Sequence, residues 1–320
     1  MSAPRREVAS TPGRTVPAGD HAPQTAPAAS HPLLETRGLT QRFGGLTAVA
    51  DLNLRVQAGE LVALIGPNGA GKTTVFNLIT GVYKATAGEI RFDSVSIGGM
   101  EPSRIHGLGI ARTFQNIRLF ADLSVLDNVR IAHHARTGYG LADALLLTPR
   151  LRREERRVME ETLALLRTLG LDELAGEKAR HLPYGQQRRL EIARALASRP
   201  RLLLLDEPAA GMNPHEIGDL MEFIARIRTE FGLTILLIEH QMKLVMGICE
   251  RITVLDFGAT IAEGTPEAVR ADRRVLAAYL GEPDEGAVSG AAAGGGDGST
   301  DDPGDPHGRR HDPTDAGSAS

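Results

Sequence analysis

The chain has 320 residues, 42% of them hydrophobic, which is enough for one large or two small domains with a substantial core. Its formal net charge is −4, and the acidic excess lies in residues 283–320. The rest of the chain is close to neutral, so we expect no nucleic-acid partner. The one cysteine, Cys249, excludes an intrachain disulfide, and its apolar neighbours predict a buried, unreactive thiol. No apolar run approaches the roughly 18 residues that span a bilayer.

Both ends of the chain have compositions that are typical of disorder. Residues 1–32 are rich in Ala, Pro, Ser and Thr, and residues 283–320 consist largely of Gly, Ala, Asp and Pro. Neither segment carries enough large apolar side chains to offset the entropy lost on ordering. We therefore predict two disordered tails around one folded region, residues 33–282. A docking function for a tail is the alternative.

The folded region opens with two predicted strands, Leu33–Leu39 and Ala48–Val56, on either side of Arg42-Phe43-Gly44-Gly45. A third strand, Leu61–Ile65, is short and continuously apolar. It leads into residues 66–73, which match the pattern Gly-x-x-x-x-Gly-Lys-Ser/Thr and are followed by a helical pattern. We call residues 66–73 the phosphate loop.

The phosphate loop predicts a nucleotide site. Its glycines let backbone N–H groups point at one place, and the helix that follows adds positive potential there. Lys72 is expected to reach the β- and γ-phosphates, and the Thr73 hydroxyl to bind Mg²⁺. The alternative is a glycine-rich turn that binds nothing, which the strand and helix on either side disfavour. The predicted phosphate contacts are Gly66, Pro67, Asn68, Gly69, Ala70, Gly71, Lys72, Thr73 and Thr74.

Strands and helices alternate along the next part of the chain. Gly88–Phe92 and Ile110–Thr113 read as strands, and Ser124–His134 as a helix with Ser124 as its cap. Leu151–Leu169 is a predicted amphipathic helix, and its expected buried face contains Leu151, Met159, Leu163, Leu166 and Leu169. Gln115 follows one of these strands, where its amide could contact both Mg²⁺ and an attacking water. The alternative for Gln115 is an ordinary surface side chain.

Two adjacent acids follow another buried strand, Arg201–Leu205. The carboxyl ends of strands are where open α/β sheets bind ligands. We expect Asp206 to hold Mg²⁺ through water, and Glu207 to orient or deprotonate the attacking water. Two exposed acids without a function are the alternative, which the preceding phosphate loop disfavours.

The last part of the chain repeats the alternation. Pro214–Thr229 is a predicted helix, Thr234–Ile238 a buried strand, and Thr265–Leu280 a final helix, while Arg251–Asp256 and Thr260–Glu263 are expected to form a hairpin. His240 follows Thr234–Ile238, where a cation or donor near the γ-phosphate would assist phosphoryl transfer. A structural histidine is the alternative. The alternation predicts a mostly parallel sheet that is covered on both faces.

The order of these motifs resembles the ATP-binding subunit of ABC transporters over residues 33–282. The matching set is the phosphate loop, Gln115, the segment Leu182–Gln186, the Asp206-Glu207 pair and His240. Within this family, the amino-acid sequences of these motifs are most similar to those of branched-chain amino-acid importer subunits of the LivG type. The stretches that carry this second resemblance are residues 42–46, 112–120, 184–194, 238–246 and 278–281.

This resemblance implies an α/β fold: a P-loop NTPase core of the RecA-like type with an antiparallel β subdomain and an α-helical subdomain. It implies that ATP and Mg²⁺ are bound and that ATP is hydrolysed. Phe43 stands where the family places an aromatic ring against adenine, and the ring face makes Phe and Tyr equivalent there. Tyr184, Gly185 and Gln186 stand in the family's signature segment, which contacts the ATP of an opposite cassette.

The resemblance also implies partners: a second ABC ATPase subunit, two membrane permease subunits and, indirectly, an extracytoplasmic substrate-binding protein. The expected location is the cytoplasmic face of the cell membrane. The signature segment departs from the common pattern, because Pro183 and Tyr184 stand where Ser and Gly are usual, and proline offers neither a hydroxyl nor an N–H. Asn213 and Gln241 replace frequent aspartates. Our hypothesis is a different partner cassette and two unequal ATP sites.

The function that follows is ATP-driven uptake of branched-chain amino acids. Import of urea or short amides by a similar cassette is an alternative, because the transported substrate does not touch this subunit. A soluble ABC ATPase that acts on ribosomes or DNA is a second alternative. It is disfavoured because the chain has one cassette and no long coiled coil. A GTPase is disfavoured since no Asn-Lys-x-Asp segment is present.

Overall fold

The computed structural model describes residues 31–134 and 148–280. Most of both predicted tails therefore lies outside the described residues. Residues 31 and 32, which the predicted N-terminal tail includes, are described. The His31 Nε2 atom lies 3.2 Å from the Asp93 Oδ1 atom.

The described residues form eleven strands and nine α-helices. The strands are β1 Leu34–Phe43, β2 Leu46–Leu52, β3 Arg55–Val56, β4 Leu61–Ile65, β5 Ala87–Phe92, β6 Val95–Ser96, β7 Ile110–Arg112, β8 Leu202–Asp206, β9 Thr234–Ile238, β10 Arg251–Asp256 and β11 Ala259–Gly264. The helices are α1 Lys72–Ile79, α2 Pro102–Gly107, α3 Val125–His134, α4 Pro149–Thr168, α5 Tyr184–Ala197, α6 Pro214–Phe231, α7 Met242–Ile248, α8 Pro266–Ala271 and α9 Arg273–Leu280. Two short 3₁₀ helices cover Asp172–Leu174 and Ala179–His181.

A six-stranded sheet of order β11-β10-β4-β9-β8-β7 carries the core. Every pairing in it is parallel except the β10–β11 edge pair, which confirms the predicted mostly parallel sheet. Strands β4, β8 and β9 are buried along their whole length, as their continuous aliphatic sequences require. Successive side chains enter opposite cores: Ala63 packs in one, and Val62 and Leu64 in the other.

A second sheet is antiparallel throughout, with the order β2-β1-β5-β6 and with β3 also paired to β1. Helix α3 packs against both α4 and α5 to form a helical layer. The core, the antiparallel sheet and the helical layer are the three parts that the resemblance implies.

Several element boundaries differ from the predictions. The predicted strand Ala48–Val56 is two strands, because Asp51 adopts a left-handed φ of 51° and the Asn53 side chain accepts from the Gly38 N–H at 2.8 Å. The predicted helix Thr265–Leu280 is α8 and α9. Asp272 breaks it with an extended ψ of 120°, and its carboxylate accepts from the Arg274 N–H at 2.8 Å. Helices α2 and α7 were not predicted.

The buried face of α4 matches the predicted one only in part: Leu166 and Leu169 are buried as predicted, but Leu151 and Met159 are only partly buried. Val158, Thr162, Leu165 and Leu166 are buried, whereas Leu163 is only partly buried. A threonine is compatible with the buried face because its hydroxyl donates to the Val158 carbonyl at 2.7 Å. A count of hydrophobic residue types alone therefore leaves Thr162 out of the buried face.

Cys249 is buried at the end of α7, as predicted. Removal of the thiol from water raises its pKa to about 12, so the thiolate is suppressed at neutral pH. Among the described helices, none combines the length and the apolar character needed to cross a bilayer.

Candidate nucleotide site

A cavity of about 400 Å³ lies over the phosphate loop, between the antiparallel sheet and the end of β8. It brings together Phe43, the loop from Asn68 to Thr73, Thr74 and Glu207, all of which the sequence predicts as site residues. The residues that line the cavity are Phe43, Leu46, Thr47, Ala48, Asn68, Gly69, Ala70, Gly71, Lys72, Thr73, Thr74, Glu207 and Phe257.

Glycine is required at both ends of the loop because other backbone approaches closely. Gly66 and Gly71 have φ values of 150° and 100°. A Cβ atom on Gly66 would lie 2.0 Å from the Leu255 carbonyl oxygen, and one on Gly71 would lie 2.2 Å from that of Ala48. No side chain caps the start of α1. The first N–H groups of that helix are therefore suited to an anion.

Lys72 lies inside the loop. Its ammonium donates to the Gly66 carbonyl at 2.7 Å and to the Pro67 carbonyl at 2.9 Å, and the residue is 6% exposed. Burial lowers its pKa, while the nearby Glu207 and Asp206 carboxylates oppose that shift. The loop thus holds a desolvated cation beside two acids, where its field is weakly screened.

Asp206 ends β8 and is paired with an arginine from the neighbouring strand. The Arg112 Nη2 atom donates to Asp206 Oδ2 at 2.7 Å, and Arg112 Nη1 donates to Asn77 Oδ1 at 2.7 Å. The two charged side chains are 8% and 5% exposed. Arg112 therefore links the β7 end to the β8 end through a buried ion pair, and to helix α1 through a hydrogen bond.

Glu207 is the centre of the predicted catalytic group. The Gln115 Nε2 atom donates to Glu207 Oε2 at 2.7 Å, and His240 Nδ1 lies 3.8 Å from the same oxygen. The backbone of Glu207 turns through a left-handed φ of 45°, and its N–H donates to the Ile238 carbonyl at 2.9 Å. The ends of β7, β8 and β9 thus bring Gln115, Glu207 and His240 together beside the cavity.

Glu239 stabilises this arrangement through hydrogen bonds to the backbone. Its carboxylate is fully buried and accepts from the N–H groups of Ala209, His240 and Gln241 at 2.8, 2.8 and 3.0 Å. One side chain therefore ties the loop after β8 to the loop after β9. Buried carboxylates that accept several backbone N–H bonds are strongly held.

The predicted signature residues lie elsewhere. Tyr184 begins α5 and donates its hydroxyl to the Ala210 carbonyl at 2.9 Å, while Arg188 Nη2 donates to the tyrosine oxygen at 3.3 Å. Tyr184, Gly185 and Gln186 are not among the residues that line the phosphate-loop cavity. Within one chain the structure does not bring them to the phosphate loop.

The side chains around the phosphate loop suit magnesium held partly by phosphate. In the part of the chain that the structure describes, no cluster of three or more His, Cys, Asp or Glu side chains could hold a metal by itself. The Thr73 hydroxyl and the two carboxylates after Leu205 are hard oxygen ligands. Magnesium usually takes one or two such groups together with phosphate oxygens. The residues present therefore fit a shared site.

The model of the ABC transporter family matches residues 49–210. The chain belongs to the ABC transporter family. As a member it is an ATP-binding cassette and an ATPase coupled to transport. A second family model, described as branched-chain amino acid ATP-binding cassette transporter, matches residues 259–285 of this cassette.

Known relatives of this cassette match it over nearly their whole length. It is 51% identical to the high-affinity branched-chain amino acid transport ATP-binding protein BraF of Pseudomonas aeruginosa, and 49% identical to the corresponding LivG protein of Escherichia coli K12. Each match covers 79% of this chain and 99% of the relative. The crystal structure of MJ1267 in its ADP conformation, an ATP-binding cassette of an ABC transporter, superposes with a TM-score of 0.69 at 32% identity. That superposition covers 79% of this chain and all of MJ1267.

Arg112 and Glu239 are not among the residues predicted for the site of this ATPase. The sequence does indicate that Arg112 is paired, because a charged residue at the end of a buried strand needs a partner of opposite charge. Glu239 has the same signal, because it directly follows the wholly buried strand β9. Neither signal indicates which partner the charge meets.

Proposed function

We propose that this chain is the ATP-hydrolysing subunit of an importer for branched-chain amino acids. The observation that carries the proposal is the meeting of Gln115, Glu207 and His240 beside a phosphate-loop cavity. The substrate class rests on BraF and LivG, whose names assign them to branched-chain amino acid transport.

The cavity supports ATP in one orientation. Backbone N–H groups at the start of α1 and the Lys72 ammonium would receive the β- and γ-phosphates. The adenine would lie at Phe43, which is 43% exposed and is held edge-to-face by Tyr83 with ring centroids 5.3 Å apart. Because Tyr83 already restricts this half-exposed ring, stacking on adenine costs the Phe43 side chain little conformational entropy.

Hydrolysis in this orientation uses Glu207 as the base. The water oxygen forms a bond to the γ-phosphorus, the bond from that phosphorus to the β–γ bridging oxygen breaks, and ADP and phosphate result. The water proton passes to the Glu207 carboxylate. Gln115 and His240 already contact or approach that carboxylate, so both can orient the water and donate to the γ-phosphate oxygens.

Magnesium fits beside these groups. We assign the Thr73 hydroxyl, the Gln115 amide and, through water, the Asp206 carboxylate to it. When bound, Mg²⁺ supplies positive charge that offsets the charge of the transferring phosphoryl group. The bond from Arg112 keeps Asp206 oriented for this function.

The remaining proposals concern partners and location. A second ABC ATPase, different from this chain, would cover the cavity with its own signature segment, and two permease subunits would hold the pair at the cytoplasmic face of the membrane. Tyr184 is not among the residues that line the cavity, which supports a role toward another chain. If the two ATP sites are unequal, Lys72→Ala and the matching substitution in the partner will reduce hydrolysis unequally; equal losses would contradict this.

The transport proposal is tested by uptake. The chain is co-purified with its membrane permeases, and the complex is placed in vesicles with Mg-ATP on the side of the ATPase. We expect ATP-dependent accumulation of labelled leucine in the presence of the matching substrate-binding protein, and none with Glu207→Gln in the complex. Accumulation of urea but not of leucine would overturn the assigned substrate class and leave the ATPase activity standing.

A further inference from the structure

The turn between β10 and β11 has an unusual residue in it. Asp256 pairs with Ala259, so Phe257 and Gly258 form a two-residue hairpin loop. Their φ values are 43° and 83°, both left-handed. This kind of turn strongly favours Asn-Gly or Asp-Gly, because few side chains tolerate a left-handed backbone. Gly258 fits that preference, whereas a bulky aromatic residue at position 257 does not.

The turn is held in place by backbone on both sides. The Gly258 N–H donates to the Ala70 carbonyl of the phosphate loop at 3.1 Å, and the Gly258 carbonyl accepts from the Ala50 N–H at 2.9 Å. A Cβ atom on Gly258 would lie 2.8 Å from the Ala48 carbonyl oxygen. The surrounding structure thus determines the conformation at 257, so its backbone strain persists.

The Phe257 side chain is not stabilised by burial inside this chain. It is 87% exposed, more than any other large hydrophobic side chain among the described residues. It also lines the cavity that contains Phe43 and the phosphate loop. Phenylalanine is therefore disfavoured here for two reasons, the left-handed backbone and the exposure of an apolar ring to water. A ligand that covers the ring would remove the second reason.

We propose that Phe257 is a second aromatic contact for the nucleotide base in this cavity, in addition to Phe43. The inference rests on the proposed ATP site. A purine has flat apolar faces, and aromatic side chains stack on them irrespective of exact hydrogen bonding. Phe257 is fixed to the phosphate loop through Gly258, so the base contact and the phosphate contacts keep a constant separation.

The substitution Phe257→Asn tests this, because asparagine suits the turn and lacks the ring. Binding of ADP and of inorganic tripolyphosphate to the full chain is measured by calorimetry with Mg²⁺, and the melting temperature is measured without ligand. We expect an unchanged or higher melting temperature and ADP affinity reduced roughly fivefold or more. Affinity for tripolyphosphate, which has no base, should be unchanged.

Two substitutions serve as controls. Phe43→Ala should show the same selective loss of ADP affinity, and Phe231→Ala should not, because Phe231 is exposed but lines a different cavity. Wild-type ADP affinity in Phe257→Asn would overturn the inference and leave the ring as a contact for a partner cassette. An equal loss of ADP and tripolyphosphate affinity would also overturn it. If the wild-type chain binds neither ligand, the proposed ATP site itself fails.

Discussion

At the scale of single residues, the buried pair of Arg112 and Asp206 determines how the end of β8 is arranged. The guanidinium also lies over the Phe76 and Phe114 rings, 5.4 Å from each centroid. Aromatic faces and a carboxylate together replace the water that the arginine loses. The pair therefore combines a structural contact with the orientation of a proposed Mg²⁺ ligand.

Replacing Arg112 by Met should be strongly destabilising, because it leaves the Asp206 carboxylate buried without its partner. We expect the free energy of unfolding in urea to fall by about 3–5 kcal/mol. Arg157→Met is the matched control: Arg157 is half exposed in its pair with Glu154, so its loss should cost less than about 1 kcal/mol. Similar losses in both variants would show that Asp206 does not depend on Arg112.

The function of Glu207 is tested by Glu207→Gln, which keeps the shape of the side chain and removes the base. ATP binding should persist, and hydrolysis should fall by roughly two or more orders of magnitude. Phosphate release and nucleotide binding are both measured. Glu230→Gln on the exposed face of α6 should hydrolyse ATP at the wild-type rate. Normal turnover by Glu207→Gln would assign the base to another residue.

At the scale of elements, the start of α6 explains one departure from the family pattern. Asn213 accepts from the N–H groups of His215 and Glu216 at 2.9 and 3.1 Å, and the Glu216 carboxylate accepts from the Asn213 N–H at 2.9 Å. This is a complete capping box. An aspartate would cap the same helix, so asparagine keeps the structural function of the position.

Asn213→Ala should therefore cost about 0.5–2 kcal/mol of stability, and Asn213→Asp should cost little. Both values come from urea denaturation followed by circular dichroism. If Asn213→Asp were as destabilising as Asn213→Ala, the cap would not be the reason for the residue at this position.

Elements with strong local patterns were predicted well. The bounds of β9 and β10 are as predicted, and β4 leads directly into the phosphate loop. The predicted start of the last helix is also close to the observed one, since Thr265 caps α8 by accepting a hydrogen bond from the Ala268 N–H. The errors fall where a side chain interrupts a continuous pattern, at Asn53 and Asp272. These side chains accept hydrogen bonds from the backbone N–H groups of Gly38 and Arg274, which periodicity does not describe.

At the scale of the whole molecule, the sequence predicts two tails, residues 1–32 and 283–320. We propose that both tails lie outside the folded domain. Deleting residues 1–30 and 286–320 should leave ATPase activity and melting temperature nearly unchanged. A control deletion that continues through α9 should lower the melting temperature, because α9 packs against β11 and α8. A large loss from the tail deletion alone would show that a tail is structural.

The sequence by itself determined the local chemistry of this cassette: the phosphate loop between a buried strand and a helix, the acids after β8, and Gln115 and His240 at strand ends. Residue type and spacing are sufficient for those features, because each depends on neighbours within a few positions. Only the tertiary structure decided that Arg112 meets Asp206, that Glu239 ties two loops together, and that Phe257 borders the cavity. These contacts join residues far apart in the chain and depend on the register of neighbouring strands, where a shift of one residue turns every side chain to the opposite face.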